Sequence, residues 1–178
     1  MKNCQFCAEE IQNNAIKCKH CGESQVKPQQ SKQPKKSENS HIEKFNEKFS
    51  NEFEEILEKV LERVPILVNR SVEFLEWRYN QHPTRDYQTF ILKEDGHIKG
   101  YIICRITTVN TKRIGVIVDF LINADTKDKN NLKNLVEIAI NELYNNGASV
   151  IIATFNDKFL EGEILKKSGF FKAPEFLK

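Results

Sequence analysis

From Ser40 onward the apolar residues recur every three or four positions. Ile42, Phe45, Phe49, Phe53, Ile56, Leu57, Val60, Leu61 and Val64 fall on one stripe, while Glu and Lys fill the opposite face. That period predicts a long amphipathic helix over 41–64, capped by Ser40 and stopped at Pro65. A second helix is predicted in "RSVEFLEWRYN", ending before "QHP". The period then shortens to two. Alternating and β-branched residues in 87–93, 98–108 and 113–122 predict three strands, with turns at "EDG" and around "NTK", so that neighbours pair antiparallel. The helical period returns in "NNLKNLVEIAINELYNNG", with Leu132, Leu135, Val136, Ile138, Ala139 and Leu143 inward and Gly147 just past its end. "ASVIIATF" reads as a fourth strand and "DKFLEGEILKKSGF" as a last helix closed by Gly169. Three strands, a helix, a strand and a helix, behind two leading helices, is an α/β order with mixed sheet pairing.

The segment ahead of this pattern has another character. Residues 23–40, "ESQVKPQQSKQPKKSENS", have almost nothing to bury and predict a flexible tether over 25–40. Before it lies "CQFCAEEIQNNAIKCKHCG", in which Cys4, Cys7, Cys18 and Cys21 form two C-x2-C pairs. Each pair presents two thiolates from one tight turn to a tetrahedral zinc ion. The start "MKNCQFCAEEIQ" is polar and has no apolar signal core, so the thiols are expected to stay reduced, which favours metal over disulfides, with a redox dithiol pair as the competing reading. His20 lies inside the second pair, and Lys17 and Lys19 flank it and offset part of the thiolate charge. A site filled by four protein ligands has no open position, so it is structural rather than catalytic.

Composition narrows the partners. The 27 basic and 25 acidic residues leave a net charge of +2, which does not mark a nucleic-acid binder, although Lys27, Lys32, Lys35 and Lys36 could touch phosphates. No apolar run approaches a membrane span, and the expectation is a soluble, cytoplasmic protein. The phenylalanines spaced by four, Phe45, Phe49 and Phe53, either pack in the core or support a homodimer through an exposed stripe.

Two resemblances sharpen this picture. Residues 3 to about 24 resemble the small bacterial zinc ribbons found at the ends of many otherwise unrelated proteins, which implies a docking surface for a protein or, less expectedly, for nucleic acid. From about Pro65 to Phe171 the chain resembles the GNAT superfamily of N-acetyltransferases, in particular the divergent members associated with bacterial polysaccharide genes. "RSVEFLEWRYNQHP", "DGHIKGYIICR", "GVIVDFLI" and "ILKKSGFF" carry that resemblance. It implies an α/β fold with a mixed, mainly antiparallel sheet flanked by helices over 65–178, acetyl-CoA as cofactor and acyl transfer to an amine. Family members hold the pyrophosphate in an R/Q-x-x-G-x-G/A turn between strand and helix. Here the turn reads "NADTKDKNNLKN": the glycines are missing, Asp125 and Asp128 would repel phosphate, and Lys127, Lys129 and Asn130 at the helix start are the candidate replacements. The family's tyrosine general acid corresponds to Leu165, which has no proton to give. Asp119, mid-strand in "VIVDFLI", is the candidate base, with a hydrogen-bonded structural carboxylate as the alternative; Arg78, Tyr79 and His82 are candidate cleft residues. Cys104 reads as a core thiol. The family's sheet also closes with a further strand pair, for which the seven residues after Phe171 are too few, and no first strand precedes the long helix. Two functions follow: an acyl-CoA-dependent N-acyltransferase with a zinc-ribbon adaptor, or a non-catalytic binding or scaffolding protein on the same framework.

Overall fold

The computed structural model describes residues 2–4, 7–12, 17–22, 40–64, 66–126, 128–156 and 158–173. They fall in two compact units, 1–36 and 37–178. In the first, β1 (Lys2–Asn3) and β2 (Glu10–Ile11) form a two-stranded antiparallel sheet, and Cys4, Ile11 and Cys18 are its buried residues. The tether over 25–40 lies outside the described residues except at its end, Ser40.

The second unit opens with a strand rather than a helix. β3 (Ser40–Phe45) pairs antiparallel with the strand at Gln88–Glu94, from Ser40 against Glu94 to Phe45 against Thr89, and α1 spans only Asn51–Leu61. The long helix expected over 41–64 is therefore corrected to a strand, a connector and a shorter helix. "SHIEKF" satisfies both periods locally, and the otherwise bare edge of the neighbouring strand decides between them by supplying a full ladder of backbone partners. The first strand that seemed missing is this one. The three phenylalanines still meet, from a strand end, a connector and a helix: ring centroids lie 5.6 Å (Phe45–Phe49), 5.2 Å (Phe45–Phe53) and 4.8 Å (Phe49–Phe53) apart. Phe49 and Phe53 are buried and Phe45 is half-buried, so the three rings pack inside the unit, while Leu61 at the far end of the stripe is 39 % exposed.

The next helical stretch is α2 (Val72–Leu75), capped by Ser71 accepting from the Phe74 N–H, and it runs into a π-helical turn at Glu76–Asn80. The sheet then continues with β4 (Gln88–Glu94), β5 (His97–Val109) and β6 (Lys112–Ile122), followed by α3 (Lys129–Asn145), β7 (Val150–Ala153) and α4 (Leu160–Lys167). Strand order is β3-β4-β5-β6-β7, antiparallel except for the parallel pair β6–β7.

Each face of the sheet carries its own core. Ile102, Cys104, Ile117, Phe120 and Ile122 pack under α3 and α4 against Leu132, Leu135, Val136 and Ile164. Ile91, Tyr101, Ile103 and Leu121 point the other way, against Phe53, Ile56 and Val60 of α1, Leu75 of α2 and Tyr79 of the π-helical turn. Gly100 leaves room for β6 beside it: a Cβ there would stand 2.8 Å from Ile122 Cγ2.

Candidate functional site

Two places gather chemistry, one in each unit. In the first, the four cysteine sulfurs all lie within 4.8 Å of one another. Cys4 Sγ is 3.7 Å from Cys21 Sγ, and Cys7 Sγ is 3.7 Å from Cys18 Sγ. Thiolates held at about 2.3 Å from a tetrahedral zinc stand roughly 3.8 Å apart, so the donor set fits that ion in number, chemistry and spacing. None of the cysteines is in a disulfide. The two C-x2-C turns are built alike: the Ala8 N–H donates to the Cys4 carbonyl and the Gly22 N–H to the Cys18 carbonyl, at 3.0 and 2.9 Å. Both closing residues have positive φ, 61° at Ala8 and 77° at Gly22, the second at no steric cost. The His20 N–H donates to Cys18 Sγ at 3.4 Å, which lowers the thiolate's charge density as the backbone does in any closed thiolate site.

In the second unit the site is set by what β6 and β7 fail to do. Their pairing runs from Ile114 against Val150 to Ile117 against Ala153 and stops, although β6 continues to Ile122. At the same level the β5–β6 register shifts: Cys104 faces Ile117 and Ile103 faces Asp119, so Val118 is an extra residue on β6. The bulge bends β6 and the two strands part. Antiparallel alternation, anchored by the Asn123 N–H donating to Lys99 O, turns the backbone groups of Phe120 and Ile122 toward the parting. Phe120 and Phe155 face each other in it with ring centroids 6.2 Å apart. What space remains is about 50 Å³, lined among others by Val60, Arg70, Leu121, Phe159 and Glu161. A larger groove of about 510 Å³ lies between the end of β7, α4 and residues 170–173, but it is mainly apolar, with Lys166 and Lys172 as its charges.

Asp119 is 3 % exposed and surrounded by donors. Arg70 Nε donates to both carboxylate oxygens at 2.9 and 3.1 Å, Tyr79 Oη at 3.1 Å, Tyr101 Oη at 3.5 Å, and the Phe120 N–H at 2.9 Å. Burial pushes the carboxyl above its ordinary pKa, and Arg70, Tyr79 and the Phe120 N–H pull it back toward ionisation. Burial alone would lower Arg70; the adjacent carboxylate more than offsets that and holds the guanidinium above its ordinary value. Burial, then Asp119, raises both tyrosines, so they remain neutral donors. The result is a neutral, closed network in which Arg70, and not Asp119, borders the cleft. Of the other cleft candidates, Arg78 stacks over Tyr79 at 6.0 Å, and His82 accepts the Thr84 N–H and packs on Tyr87.

The turn after β6 is occupied by the chain itself. The Asn123 side chain accepts the Asp125 N–H at 2.9 Å, and the Asp128 side chain accepts the Asn130 N–H at 2.9 Å as the N-cap of α3. The Asn131 N–H goes to Asp128 O at 3.0 Å. At the start of α3 the Asn130 N–H is thus taken by the Asp128 side chain and the Asn131 N–H by the Asp128 carbonyl. Lys129 is exposed at the first turn of α3, and Lys127 lies outside the described residues. Leu165 is buried under the sheet.

Sequence reasoning missed Arg63, Glu161 and Arg70. Arg63 Nη2 donates to Glu161 Oε1 at 2.6 Å and to Ile122 O at 2.9 Å, joining the chain just past α1 to the start of α4 across 98 residues. No local pattern announces a pair that only the folded sheet brings together; a buried-side Glu among Phe159, Leu160 and Ile164 was the one available hint.

Comparison with known proteins finds no matching family model and no matching curated protein. Solved structures do match. An aminoglycoside acetyltransferase from an uncultured soil metagenomic sample superposes with a TM-score of 0.60 at 12% identity, over 78% of this chain and 93% of that one. The ribosomal-protein-alanine N-acetyltransferase of Brucella melitensis gives 0.60 at 15% (76% and 94%), and glucosamine-6-phosphate N-acetyltransferase from Arabidopsis thaliana 0.56 at 16% (77% and 95%). The aminoglycoside N-acetyltransferase AAC(6')-Iy, solved with CoA, gives 0.56 at 14%. The second unit therefore has the fold of the GNAT acetyltransferases.

Proposed function

We propose that residues 37–178 are an N-acyltransferase domain that takes an acyl-CoA thioester and an amine, linked to a structural zinc site in residues 1–24 that docks a partner. The observation that carries the first part is the parting of β6 from β7 at a bulge, which leaves Phe120 and Ile122 presenting backbone groups to a cleft instead of to a strand. An extended, amide-bearing arm is the natural complement of such an edge. CoA supplies a thioester whose carbonyl is open to attack by a neutral amine. The chain's part is to hold that arm along β6 and to keep water out with Phe120, Phe155 and Phe159; the Phe120 N–H reaches a developing oxyanion only once it leaves the Asp119 carboxylate. Asp119 fixes Arg70 and Tyr79 beside this edge; as long as it accepts four donors it is a positioning group, and the role of proton acceptor requires it to release Arg70 first.

The fit to CoA is uneven. The strand edge suits the arm, whereas the turn after β6 does not suit the pyrophosphate, since the N–H groups of Asp125 and Asn130 are bonded to side chains of the chain itself and Asp125 and Asp128 bring negative charge. This mismatch favours the second reading, a binding protein that keeps the fold without the reaction. Calorimetric titration of acetyl-CoA into the zinc-loaded protein decides between them. The first reading expects weak saturable binding, about −5 kcal/mol, corresponding to the high micromolar range. Absence of binding at millimolar acetyl-CoA would leave the second.

A further inference from the structure

We propose that the Arg63–Glu161 pair is a latch that holds the β6 cleft closed; the proposal rests on that cleft being the ligand site. Arg63 follows the end of α1 and Glu161 is the second residue of α4, so their double contact, 2.6 Å and 3.4 Å, ties the two walls of the cleft together. The same guanidinium takes the Ile122 carbonyl at 2.9 Å. That carbonyl is one of the edge groups an amide-bearing arm would need, so arm and latch compete for one acceptor. At the other end of the edge the Phe120 N–H is held by Asp119. Closure is thus made by side chains standing in for a missing strand, in line with a space of only about 50 Å³ where the strands part.

The closure is also of a kind that opens. Glu161 is nearly enclosed, with 7 % of its side chain exposed, while Arg63 keeps 24 %, so one partner can swing to solvent without dragging the other. Arg63 Nε is buried with no hydrogen-bond partner, an unsatisfied donor that opening would hydrate. Buried ion pairs add little net stability because desolvation offsets their attraction. A device with small net stability across a ligand path sets how often the path is open. A site open about a tenth of the time binds about tenfold more weakly than its intrinsic affinity.

The test uses the intact zinc-loaded protein with coenzyme A as probe. Arg63→Gln removes a positive charge, so electrostatics alone would weaken binding of an anion; the latch expects binding about tenfold tighter. The double replacement Arg63→Met with Glu161→Leu leaves no lone buried charge and serves where the single variant folds poorly, and Glu163→Gln on the exposed side of α4 should change nothing. Wild-type binding with unchanged or weaker binding in both latch variants overturns the proposal. If no form binds coenzyme A, the acyltransferase reading fails, and the latch is judged without ligand by amide hydrogen exchange. Segment 118–122 should exchange about tenfold faster in the variants while β5 and α3 stay as they were. Equal exchange in 118–122 overturns the latch as well.

Discussion

Replacing Asp119 by Asn keeps the shape of the side chain and removes its charge, and the structure fixes what that costs. Asn offers one acceptor oxygen and two donor hydrogens where the carboxylate accepts from Arg70 Nε at 2.9 and 3.1 Å, from Tyr79 at 3.1 Å and from the Phe120 N–H at 2.9 Å. One oxygen cannot serve all of these, and the amide hydrogens would face Arg70, whose side chain is 15 % exposed and has no other carboxylate in contact among the described residues. Breaking one partner from a buried pair costs about 3–5 kcal/mol. For a domain of this size that is a fall in melting temperature of about 10–15 °C, since roughly 3 °C accompanies each kcal/mol. Thermal unfolding followed by circular dichroism measures it, and Asp119→Leu combined with Arg70→Met should recover most of the loss because neither charge is then stranded. A stability change below about 1 kcal/mol in Asp119→Asn would refute the network as the carboxylate's role. If that variant instead kept its stability and lost roughly 10²–10⁴ in acyl-transfer rate, Asp119 would be the base that its place in the strand suggests.

Other outcomes follow from the same geometry. One equivalent of zinc should be bound per chain, and a chelator should unfold residues 1–24 while the melting of 37–178 is unchanged; atomic absorption and calorimetry on the full protein check both, and a metal-free reduced protein would sink the site. Phe53→Ala, at a residue 0 % exposed between Phe45, Phe49 and Tyr101, should cost about 3–5 kcal/mol in denaturant unfolding. Gly100→Ala should destabilise because its Cβ meets Ile122 Cγ2 at 2.8 Å, whereas Gly96→Ala should act through its φ of +83° alone. Burial, reinforced by Glu142, pushes the Cys104 thiol up to about 12 from 9.0, so alkylation of the folded protein at pH 8 should spare it. A raised folded-state pKa means that this contribution to stability is whole below pH 9 and is lost as pH rises toward 12; denaturant titrations across that window should show the decline.

What the sequence told and withheld divides along a physical line. Strands β4, β5 and β6, helices α3 and α4 and the four-cysteine cluster were legible because each is specified by neighbours in the chain: a period of two or 3.6, a turn residue with free φ, two thiols three positions apart. β3 was not, because Ile42 and Phe45 suit a helix as well as a strand, and the decision was made by β4, some 50 residues away, through ten or so backbone groups that have no signature in "SHIEKF". Asp119 was legible as a residue and not as a role. A carboxylate in an apolar strand announces that something must compensate it, but Arg70 arrives from a connector after α1 and Tyr79 from a π-helical turn that shifts its ring by one position relative to an α-helix. Arg63 and Glu161 were silent for the same reason, as their partnership exists only once the strands have parted. The cleft is therefore the part of this molecule least written in local pattern. It opens beside a register shift of one residue at Val118, and its lining is drawn from separate stretches of the chain: Val60 from α1, Arg70 from the connector, Phe120 from β6, Phe155 from beyond β7 and Glu161 from α4. Local pattern places each of these residues on its own element and says nothing of their meeting. Conversely, one substitution at any of the five changes the cleft without disturbing the pattern that specifies the fold, which is how a single framework can keep its sheet while its site gains or loses a reaction.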